Sequence, residues 1–307
     1  MRLFKKTSID FMGKRYFWYT LSGLVILVGM VSLAIKGVDY GIDFLGGTEI
    51  IVQFQSPVAI ADVRSAMDGV GFTGAEIKTF GPPTDILVRT EAIQLEGGVA
   101  VGDRIREGFV SAFPSNPFTV LKEDKIGPKI GAELRRDAAY AVIASLIAIA
   151  IYVGFRFKWV YGVGAVVALF HDVLVTLGII SLLNGVLSLE IDQNMIAAFL
   201  TLVGLSVNDT VVIFDRIREN QKIFKTMPLQ ELMNKSINET LSRTIITSGT
   251  IFLVLVVLFL FGGEVNRGFA FALTIGIVTG TYSSIYIASA VVLEWTSRGK
   301  AKGQIVS

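Results

Sequence analysis

Residues 195–214 read MIAAFLTLVGLSVNDTVVIF, a stretch that is long and apolar enough to cross a lipid bilayer. The stretch nevertheless contains Asn208 and Asp209, past its middle. An aspartate at the centre of a membrane helix costs about 2.5 to 3.5 kcal/mol, so an intramembrane acid is by default interpreted as a proton or ion site. This segment therefore predicts a membrane fold and also a position for its chemistry.

Five further segments of the chain are similarly apolar, and hydrophobic residues make up 52% of the sequence. Each segment has roughly the 17 to 25 residues that a spanning helix requires. The six predicted spans are 17–35, 138–155, 159–183, 195–214, 244–262 and 268–293. The first span follows Lys14 and Arg15 and has no small-residue cleavage site before Lys36, so we interpret it as a retained signal anchor. The sequence predicts an α-helical polytopic membrane protein with six transmembrane helices.

Basic residues are distributed unevenly among the segments that connect these spans. The N-terminal tail, the turn at 156–158, the 215–243 loop and the C-terminal tail hold sixteen Lys and Arg, whereas the alternate loops 184–194 and 263–267 hold one. Short cytoplasmic loops are enriched in Lys and Arg, so both termini are predicted to be cytoplasmic. Residues 36–137 carry eleven Lys and Arg, but long domains cross the membrane largely regardless of charge. That segment is predicted to face the exterior or the periplasm.

The composition argues against several kinds of chemistry. The chain has no Cys and one His, which excludes thiol chemistry and a His/Cys metal cluster. It has no GxxxxGK[ST] phosphate loop, and the GLSVN segment at 204–208 lacks the last glycine of a GxSxG nucleophile elbow, so Ser206 is interpreted as a helix-packing hydroxyl. The net charge is +2, and its cations follow the topology rather than forming a nucleic-acid patch. We expect no enzyme activity, no cofactor and no metal.

The segment between the first two spans has the composition and the length of one small soluble domain. Strand patterns occur at 49–55, 75–80, 85–90 and 118–122. One amphipathic helical pattern follows an expected N-cap at Ser56, and a second covers 101–113. The order βαββαβ predicts a small α+β ferredoxin-like domain. The expected boundaries are 1–36 for the cytoplasmic N-terminus and first span, 37–137 for the periplasmic domain, 138–294 for the other five spans with the cytoplasmic loop 215–243, and 295–307 for the cytoplasmic tail.

Asp209 has two interpretations at this level: a proton carrier, or a neutral acid that is hydrogen-bonded to hold helices together. Burial disfavours the charged form of a carboxylate and an approaching cation such as Arg243 favours it, so two helix arrangements could load and release a proton. Asp172 lies in a row of small residues on the third span, which helix packing alone does not explain well. His171 is interpreted as structural. It lies about 100° from Asp172 around a helix, so we expect that the two cannot both face one partner.

Two other patterns also leave alternatives open. In residues 228–241 the apolar side chains fall on one helical face, which predicts a helix lying along the membrane surface or packed against neighbouring protein. In the last span, small residues recur at every fourth position from Gly268 to Ala288. Such a stripe permits close helix contact within one chain or with a second subunit.

Five sequence motifs occur in an order that identifies a family. They are GIDFLGGT at 41–48, IGPKIGAELRRDA at 126–138, HDVLVTLG at 171–178, LVGLSVNDTVVIFDRIREN at 202–220 and LSRTIITSGT at 241–250. Together with the topology they resemble the SecF branch of the SecD/SecF protein-export family, over nearly the whole chain. One departure is Leu205, where the family usually has Tyr.

The resemblance implies a fold, a site and partners. The fold is half of a resistance-nodulation-division transporter, a superfamily whose members use acids in the fourth span to couple proton flow to movement. The residues implicated in proton transport are Asp209 and Arg243, with Asn208 and Asp172 as neighbours. The residues of the first motif that match the family are Gly41, Ile42, Asp43, Phe44, Gly46 and Gly47. The implied partners are SecD as heterodimer, the SecYEG channel, SecA, YajC, unfolded preprotein and membrane lipid.

The implied function is assistance of Sec-dependent export by the proton-motive force, with preproteins drawn out of the channel. Two alternatives remain open: a small-molecule proton antiporter and a structural accessory of the translocon. A chain with one half and one small external domain argues for a partner subunit, against the antiporter. Gly46 and Gly47 are predicted to form either a hinge or a tight turn into the first strand.

Overall fold

The structure is a computed structural model that describes residues 7–91, 100–187 and 189–301. Residues 1–6 and 302–307, which belong to the predicted cytoplasmic tails, lie outside these ranges. The elements in chain order are α1 (Arg15–Lys36), α2 (Ile42–Leu45), β1 (Gly47–Phe54), α3 (Ile60–Gly69), β2 (Glu76–Thr79), β3 (Asp85–Thr90), α4 (Val101–Ala112), β4 (Phe118–Ile126), α5 (Pro128–Arg156), α6 (Trp159–Leu183), α7 (Gln193–Ile223), α8 (Leu229–Phe261), α9 (Glu264–Ser283), a π-helical turn (Ser284–Ala288) and α10 (Ser289–Ala301).

Six helices in the described part of the chain are long and apolar enough to span a membrane, which confirms the six predicted spans. They are Met12–Lys36, Lys129–Arg156, Trp159–Leu183, Gln193–Ile223, Leu229–Phe261 and Val265–Arg298. The chain divides into two compact units, of which the first comprises residues 1–39, 140–190 and 194–307 and the second 40–139 and 191–193. The spans lie in the first unit, except for residues 129–139 of the second span and Gln193 at the start of the fourth.

Small residues bring the helices of the first unit into close contact. A Cβ placed on Gly29 of α1 would lie 2.7 Å from the Cα of Gly178 on α6, and Ser32 and Ser181 are hydrogen-bonded at 3.0 Å beside this crossing. The stripe of small residues in the last span likewise brings that helix close to α7, since a Cβ at Gly280 would lie 3.0 Å from the Cβ of Ser206. These positions of the stripe serve packing within one chain.

The N-terminal end of α8 is not a separate surface helix. It is continuous with the fifth span, and its apolar side chains Leu232, Met233 and Ile237 are buried in a cluster with residues of α7 and with Phe11 and Met12. Of the two interpretations of residues 228–241, packing against protein is therefore the one observed. The expected 215–243 loop is correspondingly mostly helical, because α7 continues to Ile223.

The second unit contains a four-stranded antiparallel sheet in the order β2-β3-β1-β4. Ile50, Val52 and Phe54 of β1 alternate with residues of the opposite face and form a core with the buried sides of α3 and α4. The strands and helices follow one another in the predicted order. The expected N-cap is wrong: α3 is preceded by Ala59 in an extended conformation, and Ser56 lies earlier in the connection.

Candidate functional site

Asp209 lies on the buried face of α7. The residues of this face recur at helical spacing and are Ala198, Leu202, Ser206, Asp209 and Ile213. Asp209 is 5% exposed. Its backbone position follows from the apolar periodicity of the helix, which turns every third or fourth side chain inwards. The acid is therefore held inside the helix bundle rather than towards lipid.

One hydroxyl of α8 binds this carboxylate. The Oγ of Ser248 donates a hydrogen bond of 2.8 Å to Oδ2 of Asp209. One turn earlier on the same face, the Oγ1 of Thr244 is buried and has no hydrogen-bond partner among the described residues. The acid is thus bound by one hydroxyl of α8, and Thr244 is a second buried hydroxyl on the same face of that helix. Ser248 was not predicted from the sequence, although the hydroxyl residues of the SRTIITSGT motif could have indicated a partner for the acid.

Arg243 lies five residues before Ser248, about 140° away around α8, and its side chain is exposed. Its charge acts electrostatically on Asp209. Within the described parts of the chain, however, no hydrogen bond or ion pair joins Arg243 to another residue. The structure brings the predicted cation near the predicted acid without pairing them.

Asn208 is placed differently from Asp209, although it precedes it directly. Its side chain is exposed, in a row on α7 formed by Ala197, Thr201, Gly204 and Asn208. A Cβ added at Gly204 would meet no atom of the described residues within 4 Å. This exposed row of small and polar residues is left uncovered by the described residues, and it separates Asn208 from the buried acid.

Asp172 of α6 is a second buried acid, with no exposed surface. Its Oδ2 accepts hydrogen bonds from Ser206 of α7 at 2.6 Å and from Ser283 of α9 at 2.8 Å. Its Oδ1 lies 2.9 Å from Nδ1 of His171. His171 and Asp172 were not expected to face one partner, but in the structure they bind each other directly.

The hydrogen bonds continue beyond His171 into α1. Its Nε2 lies 2.7 Å from the hydroxyl of Tyr282, which lies 2.8 Å from Oγ of Ser22. Neither Tyr282 nor Ser22 was singled out from the sequence, because a serine hydroxyl in a helix can bond its own backbone and the sequence does not show which helices meet. The second acid is thus part of a network that joins α1, α6, α7 and α9.

The first motif lies in the second unit and forms a turn around α2. Gly46, with φ of 74°, ends this short helix, and Gly47, with φ of 128°, begins β1, where a side chain would clash with the carbonyl of Thr90. Asp43 accepts a hydrogen bond of 2.8 Å from the backbone N–H of Gln193. Both glycines meet a steric requirement of a tight turn into the first strand.

Comparisons with known proteins agree with these features. The model of the family described as "Protein export membrane protein SecD/SecF, C-terminal" matches residues 99–298, and that of the "SecD/SecF GG Motif" matches residues 31–58. The chain is 50% identical to the protein translocase subunit SecF of Rhodothermus marinus, covering 100% of this chain and 99% of that protein. It is 39% identical to SecF of Escherichia coli O157:H7, covering 93% and 87%.

A solved structure gives the same result. The chain superposes on the crystal structure of SecDF from Thermus thermophilus, a translocon-associated membrane protein, with a TM-score of 0.83 and 39% identity. The match covers 95% of this chain and 39% of the longer SecDF chain. The present chain is a multi-pass membrane protein of protein translocation, and it belongs to the SecF family of protein translocase subunits.

Proposed function

We propose that this protein uses the proton gradient across the bacterial inner membrane to assist Sec-dependent export, together with SecD. The observation that carries the proposal is the buried carboxylate of Asp209, bound by Ser248 and near the unpaired charge of Arg243. Burial favours a neutral carboxyl and a closer cation favours a charged one. A shift of α8 relative to α7 would change the distance to Arg243, so proton binding and helix arrangement are linked.

The gradient supplies enough energy for such a link. One charge that crosses 100 mV contributes about 2.3 kcal/mol. A proton taken up by Asp209 on one side and released on the other would bias the helix arrangement by an amount of this order. In the proposal this movement helps to draw the unfolded preprotein out of the SecYEG channel, after SecA has acted. Asn208 and Asp172 are proposed to assist proton transport as neighbours of Asp209.

SecD is the proposed partner within the membrane. The solved relative is a SecDF chain, and the present chain spans 39% of its length. The exposed row of Ala197, Thr201, Gly204 and Asn208 lets another helix approach closely, and the uncovered Asn208 would gain hydrogen-bond partners there. SecYEG, SecA and YajC are proposed as further partners from the family resemblance alone.

The proposed orientation places both termini in the cytoplasm and residues 37–137 in the periplasm. The distribution of basic residues supports it. We also propose that the periplasmic domain is ferredoxin-like, supported by its βαββαβ order and by the strand order β2-β3-β1-β4.

The test compares preprotein export into inverted vesicles that contain this protein, SecD and the channel, with the proton gradient present or collapsed by an ionophore. We expect Asp209→Asn to insert and pair with SecD normally and to lose the part of export that depends on the gradient. Asp215→Asn is the matched control, because Asp215 lies on the same helix but is half-buried and paired with Arg156 at 3.1 Å. It should keep the gradient response.

A gradient response that survives in Asp209→Asn at matched expression would refute the proposal. Stimulation of export that is independent of the gradient in the unmodified protein would favour a structural accessory instead.

A further inference from the structure

The network around Asp172 has a property that helix packing does not require. Ser22, Tyr282, His171 and Asp172 form an unbroken series of hydrogen bonds, with heavy-atom distances of 2.8, 2.7 and 2.9 Å. Each member can both give and receive a proton. A proton can therefore pass along the series by exchange at successive atoms, without any displacement of the helices.

The surroundings of Asp172 accommodate both of its protonation states. In the charged state it accepts from Ser206, Ser283 and His171. When it is protonated, Ser283 has a second acceptor within reach, since its Oγ lies 3.2 Å from the carbonyl oxygen of Gly280. The protonated Oδ1 then donates back to Nδ1 of His171, which has given up its proton and lies 2.9 Å away. A buried acid that serves packing alone needs only one satisfied state.

The network also reaches the helix that carries Asp209. Ser206, which binds Asp172, precedes Asp209 by three residues, about one turn of α7. A rotation of α7 that breaks the hydrogen bond from Ser248 to Asp209 would therefore also displace Ser206 from Asp172. Two titratable groups face Asp172: His171 from its own helix and Tyr282 from α9. Asp209 is linked to Asp172 through this turn of α7, and α1 contributes the neutral Ser22.

We propose that His171 and Asp172 form a second proton-holding centre, which exchanges protons through Tyr282 and is linked to Asp209 through Ser206. A proton supplied by the gradient reaches Nε2 of His171 from the Tyr282 hydroxyl, which is itself replenished from the Ser22 side. The imidazole passes its Nδ1 proton to Oδ1 of Asp172, so Tyr282 and His171 each gain one proton as they give one, and Asp172 holds the added proton. This inference rests on the proposed function.

The variant that tests the inference is Asp172→Asn, measured in the inverted-vesicle export assay across a range of pH. Asparagine keeps an oxygen that accepts from both serines and an N–H that donates to His171, but it cannot hold a proton. We expect normal folding and a loss of gradient-dependent export of about tenfold or more, as for removal of a positioned proton-transfer group. Thr176→Val is the control, because this buried hydroxyl one turn away has no hydrogen-bond partner among the described residues.

Each outcome decides between a proton-holding role and a structural role. If Asp172→Asn folds and keeps the gradient response and its pH profile while Asp209→Asn loses the response, the inference is overturned and the proposed function stands. If both variants keep the response, the proposed function itself fails. If Asp172→Asn does not fold, Tyr282→Phe decides, since it keeps the ring beside His171 and removes only the hydroxyl. Loss of the gradient response in Tyr282→Phe supports the inference, and an unchanged response overturns it.

Discussion

Asp209 and Asp172 are both buried in the first unit, but they are bound very differently. Among the described residues, Asp172 has three donors around its two oxygens, whereas Asp209 has one, the hydroxyl of Ser248. A hydrogen bond to a charged group contributes about 1.5 to 3 kcal/mol, so fewer donors leave a carboxylate less firmly fixed in one state and one position. Asp209 is therefore the acid that changes its surroundings more easily when helices move.

Two asparagines of α8 hold the segment that precedes α1. The Asn234 Oδ1 accepts from the backbone N–H groups of Phe11 and Met12 at 3.0 and 2.9 Å, and its Nδ2 donates to Asp10 at 2.7 Å. Asn238 binds both backbone groups of Ile9. The backbone N–H of Gly13 and then Asn234 hold the pKa of Asp10 below its ordinary value of 3.8. This contribution is present above pH 3.8 and is lost as the pH falls below the folded-state value.

We expect Asn234→Ala to loosen this segment. The change removes three hydrogen bonds, which are worth roughly 1 kcal/mol each, so the detergent-solubilised protein should be destabilised by about 1 to 3 kcal/mol. Hydrogen exchange should show lost protection at residues 9–14, with a lower melting temperature. Asn266→Ala is the control, because the one partner of the Asn266 side chain in the described part of the protein is the carbonyl of Gly262 on the preceding turn. Equal protection in both variants would contradict the role of Asn234.

At this scale the sequence predicts types of residue better than their partners. An acid within an apolar helix identifies Asp209 at once, because the cost of burying it is intrinsic to the residue. Ser248 and Tyr282 belong to other helices, and which side chains meet depends on how those helices rotate against one another. Asn208 illustrates the limit: it is adjacent to Asp209 in sequence but lies on the exposed face, and its role stays a prediction.

Contact between α1 and α6 depends on two glycines that face each other. The Cβ of any side chain at Gly29 would lie 2.7 Å from the Cα of Gly178, where backbone cannot yield without separating the helices. We expect Gly29→Ala to break the 3.0 Å hydrogen bond between Ser32 and Ser181 and to destabilise the protein by about 1 to 3 kcal/mol, as overpacking does.

The measurement for this change is thermal unfolding in detergent. Gly23→Ala on the same helix is the control, because a Cβ at Gly23 meets no atom within 4 Å. Gly23→Ala should leave the melting temperature unchanged or slightly raised, since alanine has the higher helix propensity. If both variants melt like the parent protein, close contact between α1 and α6 is not needed for stability.

Elements were predicted most reliably where their length is fixed by the membrane. All six spans were recovered, because a bilayer demands a long apolar run that nothing else in the sequence imitates. The ends of the spans were not predicted correctly, since α8 continues through the expected cytoplasmic loop as one helix from Leu229 to Phe261. Whether the apolar face of 228–241 meets lipid or protein depends on Phe11 and Met12, which are distant in sequence.

As a whole molecule, the described part of the chain has six candidate spans, and the uncovered α7 row and the unpaired Arg243 lie in two of them. Both features are consistent with a membrane in which further helices complete the site. The family could be identified from the sequence because its five motifs lie at the spans and at the start of the first strand of the sheet. The hydrogen-bonded network that joins four helices could not be predicted from the sequence, since it exists only once those helices are packed.

The orientation of the whole chain is open to a direct chemical test, because the chain has no Cys and any introduced thiol is the only one present. Ser111 of α4 and Thr226 between α7 and α8 are both exposed, and serine or threonine to cysteine changes little in size. With a periplasmic domain and cytoplasmic loop, a membrane-impermeant maleimide added to intact spheroplasts should label Ser111→Cys at once. It should label Thr226→Cys only after the membrane is permeabilised. The reverse pattern would contradict the proposed orientation.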